Sequence, residues 1–240
     1  MPNRPDPLPQ APDDAGRARS WTGHALARMR CHFWLKAGGI TAFMGVFFTA
    51  YFHLLRHPDH AVTLMPLTAL DRAIAFQPLA LAPYVSLWIY VGLPPMLLRS
   101  VGELIGYVLR IGALCLVGLA CFYLWPTMVP AQTLTLASDQ AFTVLHGVDA
   151  AGNACPSLHV ATACFTAFWV DHLLRELQAG TGARVLNWTW LILIAYSTMA
   201  IKQHVALDVL AGAALGAVSA LLALPRPAMM ARAGSAIDSR

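Results

Sequence analysis

Apolar residues in this chain are gathered into six long stretches that are separated by shorter polar segments. The stretches run roughly over 37–55, 77–98, 104–125, 157–174, 185–201 and 205–224. Most of them approach the ~20 residues that a helix needs to cross the hydrocarbon layer of a bilayer. The pattern predicts an all-α polytopic membrane protein, in which a bundle of six transmembrane helices forms one domain over residues 37–224.

The two ends of the chain differ from this apolar part. Residues 1–13 are rich in proline and hold little that could be buried, which predicts a disordered tail. From Ser20 to Lys36, basic residues lie among apolar residues spaced four apart, a pattern typical of an amphipathic helix on a membrane surface; a disordered basic flank is the alternative. The first 34 residues lack the apolar core of a secretory signal, so we expect no cleavage there, and residues 225–240 are expected to be a cytoplasmic tail.

Composition supports the membrane assignment and excludes other classes. Hydrophobic residues make up 58% of the chain, charged residues 12%, and the mean hydropathy is +0.57, which is too apolar for an ordinary soluble domain. A net charge of +4 is modest, and we expect no nucleic-acid partner. Five cysteines, several of them inside apolar stretches, indicate no disulfide framework.

The distribution of lysine and arginine predicts the orientation in the membrane. An even number of crossings puts both termini on one side, and the connecting segments then fall alternately on the two faces. Twelve Lys and Arg residues lie on the face that carries the termini and three on the other, with Arg110 set aside inside the third stretch. By the positive-inside rule, both termini are cytoplasmic in an inner (plasma) membrane.

Ionisable side chains stand at the junction between the last two apolar stretches. If a helix begins near His204, then His204 and Asp208 are four residues apart and share one face, so that the carboxylate can orient the imidazole. Lys202 precedes them in the same turn. Such groups close to hydrocarbon are costly unless they are paired and often mark function, although a packing role is the alternative for any single histidine.

A second motif, Pro156-Ser157-Leu158-His159, lies where another apolar stretch begins. The predicted topology places it on the same outer face as His204. Free amide groups at the start of this helix favour an anion beside Ser157. Two imidazoles and a carboxylate can also hold zinc or iron, but Lys202 argues against a metal because a cation attracts phosphate and repels a metal ion. We expect no cofactor.

These residues resemble a known family. Pro156-Ser157-Leu158-His159, followed by Ser197 with His204 seven and Asp208 eleven residues beyond it, is similar to the second and third signature motifs of the type 2 phosphatidic acid phosphatase superfamily. The resemblance implies that His204 is the nucleophile that takes the phosphoryl group, that Asp208 orients it, and that His159 protonates the leaving oxygen. It also implies that Ser157 and Ser197 donate to phosphate oxygens.

The chain also departs from the family pattern. The first motif, a lysine followed after six residues by Arg-Pro, has no counterpart, and Thr198 stands where the phosphatases carry an arginine. Leu158 and Lys202-Gln203-His204 look more like the branch that includes the inositol phosphorylceramide synthases, and Lys202 is then expected to replace part of the lost phosphate-binding charge.

The sequence therefore predicts an integral-membrane lipid-phosphate phosphatase that works through a phosphohistidine without metal, with its active site on the outer (periplasmic) face. Its expected substrate is a phosphomonoester or pyrophosphate lipid. One alternative is a phospholipid headgroup phosphotransferase that uses the same site. The other is a catalytically silent lipid-binding membrane protein.

Overall fold

The computed structural model describes residues 21–130 and 152–224, and the predicted tails at 1–13 and 225–240 lie outside the described residues. The described part is mostly helical. In chain order its elements are α1 (Trp21–Arg30), α2 (Phe33–Arg56), β1 (Thr63–Leu64), α3 (Ala69–Ala73), a single 3₁₀ turn (Pro78–Ala80), α4 (Leu81–Val85), α5 (Leu87–Tyr90), α6 (Leu93–Leu97), α7 (Val101–Leu124), β2 (Thr127–Met128), α8 (Leu158–Glu176), α9 (Thr181–Ala200) and α10 (Ala206–Ala223).

Three of the described helices are both long and apolar enough to cross a membrane: α2, α7 and α10. Their ranges include or nearly match three of the six predicted stretches. Helices α8 and α9, with 19 and 20 residues, are long enough by length alone and correspond to two more. The prediction of a mostly helical chain with helices that could cross a membrane is therefore confirmed, while the count of six crossings stays a prediction.

The second predicted stretch, 77–98, is not one continuous helix. It is divided into a 3₁₀ turn and the short helices α4, α5 and α6. Prolines explain the division, because a proline inside a helix removes one backbone donor and clashes with the preceding turn. Pro78, Pro94 and Pro95 all stand at the starts of these short pieces, where a missing N–H costs little.

Helix α8 is the centre of the bundle, with 14 of its 19 residues buried. Helix α10 packs against it with its backbone very close, because Gly212 and Gly216 have no side chains. A Cβ atom on Gly212 would lie 2.3 Å from the Ser157 carbonyl oxygen, and one on Gly216 would lie 2.3 Å from that of Ala161. This small-residue contact brings the starts of α8 and α10 side by side.

The amphipathic segment predicted over Ser20–Lys36 is divided and partly buried. Helix α1 ends at Arg30, and His32 adopts a left-handed conformation (φ 53°) before α2 begins. Lys36 is only 1% exposed, and its ammonium donates hydrogen bonds to three backbone carbonyl oxygens. Arg28 is buried and pairs with Glu176 at 3.1 Å. Two of the basic residues therefore fasten α1 to the bundle, and the membrane-surface position predicted for this segment stays a prediction.

The connecting segments at the opposite end of the bundle pack on one another. Strands β1 and β2 form a parallel pair, with Thr63 beside Thr127. Met65, Val129, Ala154 and Val205 form a small buried apolar cluster beneath them. This cluster holds the loop before α8 and the loop before α10 together, so the two predicted motifs lie at the same end of the molecule.

Candidate active site

The start of α8 is held by local and long-range hydrogen bonds. Ser157 is the N-cap, and its hydroxyl oxygen accepts a bond from the N–H of Val160 at 3.2 Å. Its own N–H donates to the carbonyl oxygen of Asp208 in α10 at 3.0 Å. The first residues of α8 and α10 are thus joined through their backbones, which fixes His159 relative to the His204–Asp208 pair.

The turn that carries His204 begins with a helix-ending motif. Lys202 adopts a left-handed conformation (φ 63°) just after the end of α9. The N–H of Lys202 donates to the Met199 carbonyl at 3.1 Å, and that of Gln203 to the Thr198 carbonyl at 3.0 Å. This is the Schellman arrangement, in which glycine is the usual left-handed residue. These backbone hydrogen bonds hold the turn in one conformation without a contribution from a substrate.

The side chain of Lys202 points into the protein. Its ammonium donates hydrogen bonds to the carbonyl oxygens of Asp71, at 3.1 Å, and Ile74 at the end of α3. Burial lowers the pKa of Lys202 from its usual range, and the charge of Asp71 acts in the opposite direction. The phosphate contact expected of Lys202 stays a prediction, and in this structure its donors bond to the protein backbone.

Asp71 holds the same turn from the other side. One oxygen of its buried carboxylate accepts the N–H of Ala206, the first residue of α10, at 2.7 Å. The other accepts from the backbone N–H and the hydroxyl of Thr68, both at 2.7 Å, in the capping box of α3. Asp71 and Lys202 together clamp α3 onto the His204 turn.

His204 and Asp208 form the pair that their spacing predicted. Nδ1 of His204 lies 3.0 Å from Oδ2 of Asp208, which is fully buried, while the His204 side chain is 11% exposed. The second Asp208 oxygen accepts the N–H of Val209 at 3.0 Å. A carboxylate at Nδ1 favours the tautomer that carries its proton on that nitrogen, which leaves Nε2 with a free lone pair.

His159 lies on the first turn of α8 with its ring against two aromatic side chains. It stacks on Tyr84 with ring centroids 4.0 Å apart and planes 10° apart, and it meets Trp88 edge to face at 5.8 Å. Its Nε2 is buried and has no hydrogen-bond partner among the described residues. A buried ring nitrogen without a partner is costly, which points to a ligand that supplies the missing bond.

The two histidines line one cavity of about 450 Å³. Helix α2, the broken segment α4 to α6, and α7 form most of its walls, and these are largely apolar. The polar lining is confined to a few side chains, among them Asn153, Thr162 and Lys36. An apolar cavity with a few polar groups at one place is typical of a small-molecule site.

Ser157 and Ser197, expected to hold phosphate oxygens, bond elsewhere in this structure. Both are fully buried and neither lines the cavity. The Ser197 hydroxyl donates to the Ile194 carbonyl at 2.6 Å within α9, and the Ser157 hydroxyl caps α8 as described above. Their predicted contacts with phosphate stay predictions. The structure brings together His159, His204 and Asp208. The side chains of Ser157, Ser197 and Lys202 bond to backbone groups of the protein.

A thiol beside the site is not a competing nucleophile at neutral pH. Burial, and after it the charge of Asp208, raises the pKa of Cys155 to about 11. The thiolate, which is the reactive form, is therefore scarce at pH 7. As to the metal alternative, within the described ranges no three histidine, cysteine or carboxylate side chains are placed to hold one ion.

Sequence reasoning missed three contributors. Tyr84 and Trp88 lie outside the two motifs, yet they contact the His159 ring and line the cavity. Asp71 is 6% exposed, and its neighbour Arg72 donates to the Leu67 carbonyl. The Thr68-x-x-Asp71 spacing of a capping box was a local signal for Asp71, but nothing local indicated its bond to Ala206.

Comparison with known families gives one match. The family model described as the PAP2 superfamily matches residues 104–230, which is more than half of the chain and includes most of α7 and all of α8, α9 and α10. No curated protein and no solved structure matches the chain.

Proposed function

The chain belongs to the PAP2 superfamily, and on that premise we propose that it is an integral-membrane lipid-phosphate phosphatase that works through a phosphohistidine. The observation that carries the proposal is the pair formed by His204 and buried Asp208, because the imidazole of His204 lines the same apolar cavity as the imidazole of His159. An oriented nucleophile and a separate acid are what phosphoryl transfer through a covalent intermediate requires.

The reaction can be written with these two imidazoles. Nε2 of His204 attacks phosphorus, and the bond from phosphorus to the lipid oxygen breaks. Protonated His159 gives its Nε2 proton to that oxygen, so the lipid leaves as an alcohol. Neutral His159 then accepts a proton from water as the water attacks phosphorus, and the bond from phosphorus to nitrogen breaks. Inorganic phosphate leaves, and both histidines return to their starting forms.

The expected orientation follows from charge and packing. Two ion-pair groups lie at the end of the bundle opposite the histidines: Arg28 with Glu176, and Asp171 with Arg175 and Arg184. Together with the Lys and Arg count for six crossings, this favours cytoplasmic termini and places the histidines of our proposal at the outer face of the inner membrane. A lipid phosphate in that leaflet reaches the histidines without leaving the bilayer.

The charge of the cavity favours a second candidate, a headgroup phosphotransferase. Of the described residues that line it, Lys36 is the only lysine or arginine, and its ammonium bonds to three carbonyl oxygens. The sequence holds no lysine or arginine between Arg110 and Arg175. A singly charged phosphodiester requires fewer cations than a doubly charged phosphomonoester, and an alcohol can then replace water as the acceptor at the same histidines.

The proposal is tested with phosphate-labelled lipids and the purified protein in nanodiscs. Wild type is expected to release phosphate in the presence of a chelator and to form an acid-labile labelled adduct. His204→Ala is expected to lose both, because no other group replaces the attacking nitrogen. His159→Ala is expected to slow the reaction by ~10²–10⁴-fold with a lipid alcohol as leaving group, and much less with a nitrophenolate, which needs no proton.

His57→Ala is the matched control, because His57 is an exposed histidine just after α2 and does not line the cavity. Its turnover is expected to equal that of wild type. A label that survives in His204→Ala and disappears in His159→Ala would reverse the two roles. Activity that is lost on chelation and restored by a divalent ion would favour the metal alternative, and a wild type without turnover or label on phosphomonoesters and phosphodiesters would favour the silent lipid-binding protein.

A further inference from the structure

The cavity follows helix α2 for most of its length. The lining residues of α2 recur every three or four positions and so form one face of the helix: Gly39, Phe43, Phe47, Phe48, Tyr51 and Phe52. Lys36 also lines the cavity, and sixteen helical steps from Lys36 to Phe52 correspond to about 24 Å. The cavity is therefore long compared with the ~15 Å that is half of the hydrocarbon layer.

The two ends of the cavity differ in chemistry. The outer end holds His159 and His204. At the inner end, the Lys36 ammonium donates to the carbonyl oxygens of Arg28, Met96 and Leu98 at 2.8, 3.0 and 2.7 Å. An ammonium has three donors, so none is left for a ligand. Between the ends the walls are almost entirely apolar, and a ligand that fills the cavity therefore has one polar end and a long hydrocarbon part.

We propose that this cavity holds one extended hydrocarbon chain of the lipid whose phosphate lies at His159 and His204, and that Gly39 sets the longest chain that fits. The inference rests on the proposed function for the position of the phosphate. A volume of about 450 Å³ lies in the lower half of the ~300–1,000 Å³ range of ligand pockets. That size favours a single chain, and a second chain would remain in the bilayer.

Gly39 limits the length of the hydrocarbon chain because it lines the cavity near Lys36, at the end that is farthest from the histidines. A Cβ on Gly39 would have no described atom within 4 Å, so a larger side chain there would extend into open space without a clash. Gly38 shares this openness but does not line the cavity. The two neighbouring glycines therefore provide a variant and its control on one helix turn.

The test uses single-chain n-alkyl phosphates of increasing length, with affinity measured by competition binding to full-length protein in nanodiscs. Wild-type affinity is expected to rise with chain length up to a maximum. In Gly39→Phe the maximum is expected to move to shorter chains, with the longest chain bound about tenfold more weakly, because overpacked methylenes must bend out. The shortest chain is expected to bind equally well to both proteins.

Gly38→Phe is expected to keep the wild-type profile, since it makes the same glycine-to-phenylalanine change away from the cavity. A photoreactive group at the end of the longest chain is expected to label the stretch from Lys36 to Ile40 in wild type and to lose that label in Gly39→Phe. Equal profiles for the two variants, or a label confined to other parts of the chain, would overturn the proposal.

Binding and labelling do not require turnover, so this proposal and the proposed function can fail separately. If wild type cleaves the alkyl phosphates but all variants show the same dependence on chain length, the proposed phosphatase function stands and the chain-length limit at Gly39 is wrong. A wild type that cleaves none of them, but binds them with a length preference that Gly39→Phe shifts, would retain the chain site and remove the phosphatase.

Discussion

Helices α8 and α2 both line the cavity, and they are packed in opposite ways. Helix α8 is buried along most of its length and packs against α10 through Gly212 and Gly216. In α2 the only buried residue is Lys36. The chemistry-bearing residues therefore lie on the tightly packed side, where geometry is fixed. Helix α2 is loosely packed, and in the chain site proposed above it contacts the hydrocarbon part of the lipid, where shape matters more than precise angles.

The largest loss of stability is expected at the contact between α8 and α10. Gly212→Leu is expected to leave little folded protein, because its Cβ alone would lie 2.3 Å from the Ser157 carbonyl oxygen, a backbone atom that cannot turn away. We expect a loss in the free energy of unfolding of about 3 kcal/mol or more. Thermal unfolding in detergent, followed by tryptophan fluorescence, provides the measurement.

Gly45→Leu is the control for this prediction on α2. Among the described residues, no atom lies within 4 Å of a Cβ placed on Gly45, and leucine is also the better helix former. This variant is expected to be as stable as wild type or slightly more stable. Equal unfolding temperatures for Gly212→Leu and Gly45→Leu would contradict the difference between the two walls.

A smaller effect is expected at Asp208, the buried carboxylate beside the proposed nucleophile His204. Asp208→Asn keeps the size of the side chain but removes the anion that orients His204, so turnover per folded molecule is expected to fall by about 10²-fold, with substrate binding largely intact. Steady-state kinetics at one detergent concentration measures both quantities.

Asp171→Asn is the matched change at the other end of α8. Asp171 is also buried, and it pairs with Arg175 at 2.8 Å and Arg184 at 2.7 Å. Its loss is expected to lower the unfolding temperature and to leave turnover per folded molecule unchanged. If the two asparagine variants lose turnover to the same extent, Asp208 has no special role in orienting His204.

The smallest expected effect concerns the clamp between α3 and the His204 turn. Lys202→Met removes the donor that satisfies the Asp71 and Ile74 carbonyl oxygens, and we expect a loss of about 1–3 kcal/mol in the free energy of unfolding. Arg72→Met is the control, because its guanidinium is exposed; a change within about 0.5 kcal/mol is expected. A large rise in KM without a loss of stability would instead support the phosphate contact predicted for Lys202.

The pKa of Lys202 adds a signature to the same experiment. Because burial lowers this pKa in the folded protein, the unfolded chain binds more protons in the window between the lowered and the usual value. Stability is therefore expected to increase as the pH rises through that window. This increase should be present in wild type and absent in Lys202→Met, and unfolding temperatures measured over a series of alkaline pH values test it.

Sequence reasoning succeeded where one residue type at one spacing has a direct structural consequence. His204 and Asp208, four residues apart on a helix, could meet in few other ways, and their nitrogen and oxygen lie 3.0 Å apart. The apolar stretches likewise predicted the long helices. The prediction of one helix over 77–98 was wrong, because prolines divide this apolar stretch into short pieces.

The partners of the basic residues were beyond sequence reasoning. The sequence pattern places Lys36 on a membrane surface and predicts a phosphate contact for Lys202, which stays a prediction. In the structure both ammonium groups bond to backbone carbonyl oxygens of distant segments. Carbonyl groups at the ends of helices lack partners within their own helix. Which lysine satisfies them depends on how the segments pack, and that information is not local.

The sequence by itself predicted a membrane environment, the helical class, the motif residues and the pairing of His204 with Asp208. Each of these depends on composition or on neighbours within one helix turn. Only the tertiary structure decided that His159 and His204 share a cavity, that Asp71 holds the start of α10, and that one face of α2 provides a long apolar wall. These features join segments that are far apart in sequence: Ala206, whose N–H donates to the Asp71 carboxylate, is 135 residues from it. Their geometry arises from packing. The glycines of α10 allow its backbone to contact that of α8, and this contact positions the side chains at the starts of both helices.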